Sequence, residues 1–429
     1  MTSIADTASS TQPRHLWARY GALAVSYFSL MGGSVGRLGF SLVYFLVLAN
    51  TLSLASFGVF AAASAAGVVL SRLFGLGFSS PLYRVSTVKP HLTGVYLGGY
   101  LLMGALSLPL VVGASTAVYA LGFAGRLEPE AFALFVVSEV LLWRSVEIII
   151  IFNNGFHRFG LGALLTIAGT ALRMVAVLGF AYLGSDHSLE RWAELYLSAN
   201  AIALALAIAF GMPKTRVRFV PRLYWRRMTD ALAVAGAEMV FYAQQELDKV
   251  LMLMLASPQA AGLYAITMRL VDLTAIPVRA FNTLLVQRLM RSTEAMRSWA
   301  RRIGTEAGIF AASTGAILFL ALALAVKPDL LGANVAQAAP VILLAWAIPG
   351  PRNIVEYHSE LLYARGQTVI RMGLLLAFGA VKFGLMALIV NPAMSAEMLI
   401  ATMAWIFIAN YFVSAAATYP LIGRRATRI

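Results

Sequence analysis

Lys214-Thr215-Arg216-Val217-Arg218-Phe219-Val220-Pro221-Arg222-Leu223-Tyr224-Trp225-Arg226-Arg227 stands at the middle of a 429-residue chain. It is the core of the longest polar connector, Met212 to Met228, and apolar runs fill the sequence on both sides of it. A helix needs ~20 apolar residues to cross the hydrocarbon of a bilayer, and runs of that length recur here. Arginines interleaved with Phe219, Tyr224 and Trp225 also suit nucleic acid. A connector facing anionic lipid carries the same pattern, so the net charge of +14 requires no nucleic-acid partner.

Working outward, connectors alternate between two kinds. One kind carries Arg14 and Arg19, Arg84 and Lys89, Arg158, the central stretch, Arg288 to Arg302, Arg365 and Arg424 to Arg428. The other carries only Arg126, Arg191 and Lys327. By the positive-inside rule this asymmetry predicts repeated crossing, with both termini in the cytoplasm. A composition of 60% hydrophobic and 12% charged residues excludes an ordinary soluble domain. With no cysteine there is no disulfide framework, thiolate metal site or cysteine nucleophile. The first apolar stretch is too long for a signal peptide and is expected to remain as a helix.

Twelve spans are predicted, at residues 20–48, 57–82, 92–123, 131–152, 160–183, 191–211, 229–256, 260–290, 304–326, 336–364, 369–390 and 397–422. The expected organisation is an N-terminal six-helix bundle (1–211), a basic cytoplasmic linker (212–228) and a C-terminal six-helix bundle (229–429). Leu54-Ala-Ser-Phe-Gly-Val-Phe-Ala echoes Leu255-Ala-Ser-Pro-Gln-Ala-Ala-Gly-Leu-Tyr-Ala, and Gly58 and Gly262 lie 204 residues apart. Six spans per half is an even number, so the halves enter from the same side as parallel repeats.

Many ionisable residues fall at membrane depth, where they are costly and face the protein interior or a hydrated cavity. They include Arg37, Arg72, Glu139, Arg144, Glu147, Arg173, Glu246, Asp248 and Lys382. Glu238, Tyr242, Gln245 and Lys249 share one helix face, and Arg269, Asp272, Ile276 and Arg279 share another. Arg352, Glu356 and Glu360 step by four along the tenth span. Arg144 with Glu147 and Arg269 with Asp272 are spaced to neutralise each other within a helix. Pro349 and Pro351 should bend the tenth helix beside its charged stripe. No phosphate-binding loop, zinc motif or nucleophile elbow is present, and no metal or other cofactor is implied. His358 is the one histidine at membrane depth, and a packed role is its ordinary reading.

The stretch from Gln245 to Leu270, with Asp248-Lys249 and the turn Ala261-Gly262-Leu263-Tyr264-Ala265, resembles the seventh-to-eighth helix hairpin of Wzx-type O-antigen flippases. These form a branch of the multidrug/oligosaccharidyl-lipid/polysaccharide exporter superfamily. Ser56-Phe57-Gly58-Val59-Phe60 resembles the corresponding first hairpin, but without its usual Gly-Pro. The resemblance implies an all-α, V-shaped transporter with a central cavity and alternating access, in the bacterial inner membrane. Its cargo would be a polyprenyl-pyrophosphate-linked oligosaccharide, with membrane lipids and the pathway's polymerase and glycosyltransferases as partners. Arg37, Arg269, Arg279 and Arg352 would then shield the pyrophosphate, since guanidinium binds phosphate in bidentate geometry. Tyr242, Tyr264, Tyr357 and Trp346 would pack on sugar rings, and Glu238, Asp272 or Glu356 would titrate in ion coupling. Two rivals are a cation-coupled multidrug exporter of the same superfamily and a membrane-embedded polymerase or glycosyltransferase. The short external connectors argue against an enzyme.

Overall fold

The structure, a computed structural model, describes residues 37–291, 299–364 and 367–423. Every regular element among them is helical. In chain order they are α1 (Arg37–Thr51), α2 (Leu54–Leu70 continued by Phe74–Val88), α3 (Pro90–Gly122) and α4 (Pro129–Val137 through Arg144–Gly155). Then come α5 (Phe159–Tyr182), α6 (Leu189–Gly211), α7 (Pro221–Leu255) and α8 (Pro258–Arg291). The last are α9 (Trp299–Val326), α10 (Ala333–Ala347 continued by Pro349–Ala364), α11 (Thr368–Ile389) and α12 (Ala396–Gly423). Residues 20–36 of the expected first span, with Gly32 and Gly36, lie outside the described part.

The chain is an all-α polytopic membrane protein. Seven helices among the described residues are long and apolar enough to cross a bilayer, and nine when the bent pairs α2 and α10 each count as one crossing. α4 and α7 are not uniformly apolar, because each carries a cluster of ionisable groups. Those groups turn inward and pair, which lowers the cost of holding them at membrane depth. Leu101, Leu106, Leu110 and Leu121 of α3 point outward and are exposed, as lipid-facing side chains should be.

The bends have local causes. α10 turns by 49° at Ala345–Ile348, just before Pro349, as its prolines predict. α2 also bends by 49°, without a proline. There Gly75, Leu76 and Gly77 all have positive φ, and only glycine tolerates such angles without strain. Gly77 is doubly constrained, since a Cβ there would lie 2.0 Å from the Ala231 carbonyl oxygen of α7. The expected linker over 212–228 is shorter than read. Pro221 starts α7, because its fixed φ and missing N–H suit the first helical position.

The contact between the two series of helices is reciprocal. A Cβ at Gly58 would lie 2.2 Å from the Pro258 carbonyl oxygen, and one at Gly262 would lie 2.1 Å from that of Leu54. Each glycine thus meets the carbonyl four residues before the other, as a two-fold axis between them requires. The same end is tied by Asn334, whose Nδ2 donates to the Ala49 and Leu52 carbonyls at 2.6 and 2.8 Å. Asn50 donates in turn to the Leu331 carbonyl at 2.9 Å. This is the arginine-poor end of the molecule. Toward the arginine-rich end α2 and α7 stay together at Gly77. Leu48 and Ala49 of α1 are fully buried, whereas Gly39 and Arg37 are exposed. On α8, Ile266 is fully buried, and Pro277 and Phe281 are exposed. Both helices thus carry exposed positions toward the arginine-rich end.

Because the chain has no cysteine, Asn50→Cys with Asn334→Cys should form one disulfide that reports closure of the arginine-poor end. Adding Gly262→Ala, which drives a methyl onto the Leu54 carbonyl, should reduce that cross-linking to a small fraction in membranes. Undiminished cross-linking would show that the glycine contact does not hold the end shut.

Candidate functional site

A polar group, the apex of the candidate site, lies where α1 meets α8. There the Arg269 guanidinium of α8 donates to Ser41 Oγ of α1. Tyr44, one turn further along α1, lies within electrostatic reach of Arg269, Arg173 and Glu139. Arg173 of α5 donates twice to Asn200 Oδ1, at 3.0 and 2.7 Å, and its guanidinium stacks 4.2 Å from the Trp143 ring. Among the described residues neither Arg173 nor Arg269 forms an ion pair. Both spend their recorded hydrogen bonds on neutral oxygens, which leaves their charges uncancelled by direct contact. Glu139, in a π-helical turn of α4, accepts from Ser64 at 3.1 Å and from the Tyr196 hydroxyl.

A second cluster joins α2, α4 and α7. Arg72, in the α2 bend, makes two bonds to Glu147, at 2.9 and 3.2 Å. Arg144 bridges Glu147 at 3.0 Å and Glu238 of α7 at 2.8 Å. Two guanidiniums and two carboxylates therefore form a neutral chain across the halves, with both arginines buried. Tyr242 is not an open sugar platform here, because the Arg72 guanidinium lies 3.8 Å above its ring.

The carboxyl-terminal helices hold three further groups. Asp248 of α7 is 2% exposed and accepts from Lys382 of α11 and from the Tyr264 hydroxyl, each at 2.7 Å. Arg352 of α10 pairs with Asp272 of α8 at 2.8 Å and donates to Gln245 of α7 at 2.8 Å. His358 is fully buried, 2.8 Å from Glu306 and 2.9 Å from Ser414, and both Tyr411 and Tyr419 donate to Glu306. That cluster pins α9, α10 and α12 together.

Of the residues expected to bind cargo, Arg269 reaches Ser41 of α1, Arg352 is paired with Asp272 of α8, and Arg37 is exposed at the start of α1. The Arg279 side chain lies outside the described part. Tyr357 and Tyr264 are interior, 4% and 0% exposed; Tyr357 packs with Val278, Ile309 and Ile354. Trp346 is exposed at the α10 bend. The groups expected to titrate are engaged: Glu238 with Arg144, Asp272 with Arg352, and Glu356 one turn after Arg352 within its electrostatic reach. The Arg144–Glu147 pair forms as its spacing predicts, whereas the recorded ion pair of Asp272 runs across helices to Arg352. Sequence reasoning gave Arg173 no role at the site and left Glu306 out. The Asn and aromatic side chains that hold Arg173 come from other spans, so no local spacing marks it.

No family model matches the sequence, and no curated protein matches it. Solved structures do. An inward-facing conformation of a multidrug resistance MATE family transporter of the MOP superfamily aligns with a TM-score of 0.68 at 13% identity, covering 90% of this chain and 98% of that one. An outward-facing conformation of such a MATE transporter reaches 0.58 at 13% identity, covering 94% and 95%. The lipid II flippase MurJ, in an inward closed conformation, aligns at 0.63 and 13% identity, covering 91% and 87%. At this identity the likeness is one of fold. These neighbours are transporters and flippases rather than enzymes.

Asp248→Ala should destabilise the protein by about 3–5 kcal/mol, because it strands Lys382 in the interior without its partner. Asp248→Asn with Lys382→Met removes both charges and should recover most of that loss. Thermal unfolding in detergent checks both, and equal instability of the single and double variants would refute the pairing as the cause.

Proposed function

We propose that this protein is a MOP-type transporter that flips a polyprenyl-pyrophosphate-linked oligosaccharide from the cytoplasmic to the periplasmic leaflet of a bacterial inner membrane. The product would serve O-antigen, capsule or exopolysaccharide assembly. The observation that carries this reading is the pair of apex arginines, Arg269 and Arg173, whose recorded partners are neutral. A doubly esterified pyrophosphate is a dianion and cannot cross hydrocarbon unaided, whereas guanidinium groups supply charge and phosphate-matched donors. In this reading the lipid tail stays in the bilayer while the headgroup and sugars occupy a central cavity.

The arginine-rich connectors support cytoplasmic termini. Alternating access requires the Gly58–Gly262 seam to separate. The rival reading, a cation-coupled multidrug exporter of the same superfamily, favours a net acidic cavity. Glu147, Glu238, Asp248 and Asp272 are each matched by a cation, whereas Glu139 accepts from the hydroxyls of Ser64 and Tyr196 and lies within electrostatic reach of Arg173.

Deleting the gene should cause complete lipid-linked repeat units to accumulate on the cytoplasmic leaflet. Arg269→Ala or Arg173→Ala, expressed at normal level, should fail to restore surface polysaccharide. Single repeats already on the periplasmic leaflet of the deletion strain would point to a polymerase. Full restoration by both variants would remove the apex arginines from the cargo site.

A further inference from the structure

The connector between α6 and α7 is a built strap rather than a loose loop. Residues 213–220 run extended beside the first turns of α3. The Arg218 N–H donates to the Gly94 carbonyl at 3.1 Å. A Cβ at Gly94 would lie 2.1 Å from the Arg216 carbonyl oxygen, and one at Gly98 would lie 2.3 Å from that of Arg218, so both glycines are needed to seat the strap. Tyr224 locks it. Its ring is fully buried, and its hydroxyl sits 2.8 Å from the Val95 carbonyl, 2.9 Å from the Arg218 carbonyl and 2.8 Å from the Val220 N–H.

The lock fixes the depth and the outward face of the start of α7. Tyr224, Met228 and Ala231 recur at helical spacing on the inner side. Arg222, Trp225 and Arg226, at i, i+3 and i+4, share the outer side, and all three are exposed. Trp225 is 63% exposed and Phe219 on the strap is 60% exposed. Asp230 lies 3.8 Å from Arg227, and among the described residues it supplies the recorded carboxylate of this region, leaving Arg222 and Arg226 without one. Large aromatic rings held open to solvent between guanidiniums, level with the first turn of a crossing helix, suit the headgroup zone of a bilayer. There the ring enters the interface and guanidinium binds phosphate.

We propose that the strap and the first two turns of α7 form a binding surface for anionic phospholipid headgroups, with Arg222 and Arg226 holding phosphates on either side of Trp225. The surface is fixed before lipid arrives, by Tyr224 and the two glycines, so binding orders little of the protein and discriminates by headgroup charge. It also ties the connector between the halves to the leaflet, whatever cargo the protein carries.

The test uses the full chain in detergent, with phosphatidylglycerol, phosphatidylcholine or a short single-stranded RNA added during thermal unfolding. Phosphatidylglycerol should raise the unfolding midpoint of the wild type, and high salt should suppress the rise. Arg222→Gln with Arg226→Gln should weaken half-saturation by about 30-fold, taking about a tenfold-per-1.4 kcal/mol conversion of roughly 1 kcal/mol per arginine. Lys89→Gln with Arg158→Gln, which removes two charges from neighbouring connectors of the same end, should leave the response intact. An equal response to phosphatidylcholine, a response only to RNA, or an undiminished response in the strap variant would overturn the proposal. Should the glutamine variant not fold, Arg222→Lys with Arg226→Lys keeps the charge and loses the bidentate fork. Native mass spectrometry of the lysine variant should then show fewer retained phosphatidylglycerol molecules than wild type, and equal retention would sink the idea.

Discussion

Two glycines bear the constraint on which the arrangement of the helices depends. Gly58 and Gly262 bring α2 and α8 so close that each Cα faces the other helix's carbonyl oxygen, with no room for a methyl group. In a bilayer there is little hydrophobic drive between helices, so close backbone approach and the weak Cα–H···O contacts it permits are a main source of association. The asparagine ties of Asn50 and Asn334 add hydrogen bonds to an end where Leu48, Leu52, Val335 and Ala338 are also buried.

Around this seam, charge is handled in two ways. Cations and carboxylates are matched in three groups: Arg72 and Arg144 with Glu147 and Glu238 across the halves, Lys382 with Asp248, and Arg352 with Asp272. Such pairs offset their desolvation only with good geometry and extra hydrogen bonds, which Tyr264 supplies for Asp248 and Gln245 for Arg352. At the apex direct pairing stops: Arg173 and Arg269 donate to neutral oxygens, and Glu139 accepts from the hydroxyls of Ser64 and Tyr196.

Neither bend is decorative. The α2 bend carries Arg72 to Glu147, and the α10 bend carries Arg352 toward Asp272 and Gln245. Pro349 and Pro351 advertise the second. The first rests on Gly75 and Gly77, which in isolation look like any small-residue packing pair. The same ambiguity hid Gly94 and Gly98, whose partner is the connector backbone instead of a second span.

Hydropathy, loop charge and the 204-residue spacing of Gly58 and Gly262 were enough to read an all-α polytopic chain with a repeat, because those properties are local or periodic. They also located the helix faces that carry Glu238, Arg269 and Arg352, since helical spacing is written along the chain. Partner choice was not. Arg144 reaches Glu238 across 94 residues and Lys382 reaches Asp248 across 134, and no spacing rule extends over separate helices. Tyr264 and Tyr357 looked like cavity aromatics and proved interior, because facing direction depends on how neighbouring helices rotate. The sequence by itself determined that this protein crosses a membrane and keeps charge within it. Only the tertiary structure decided which of those charges cancel and which remain to meet a ligand, because cancellation depends on distances of a few ångströms between helices.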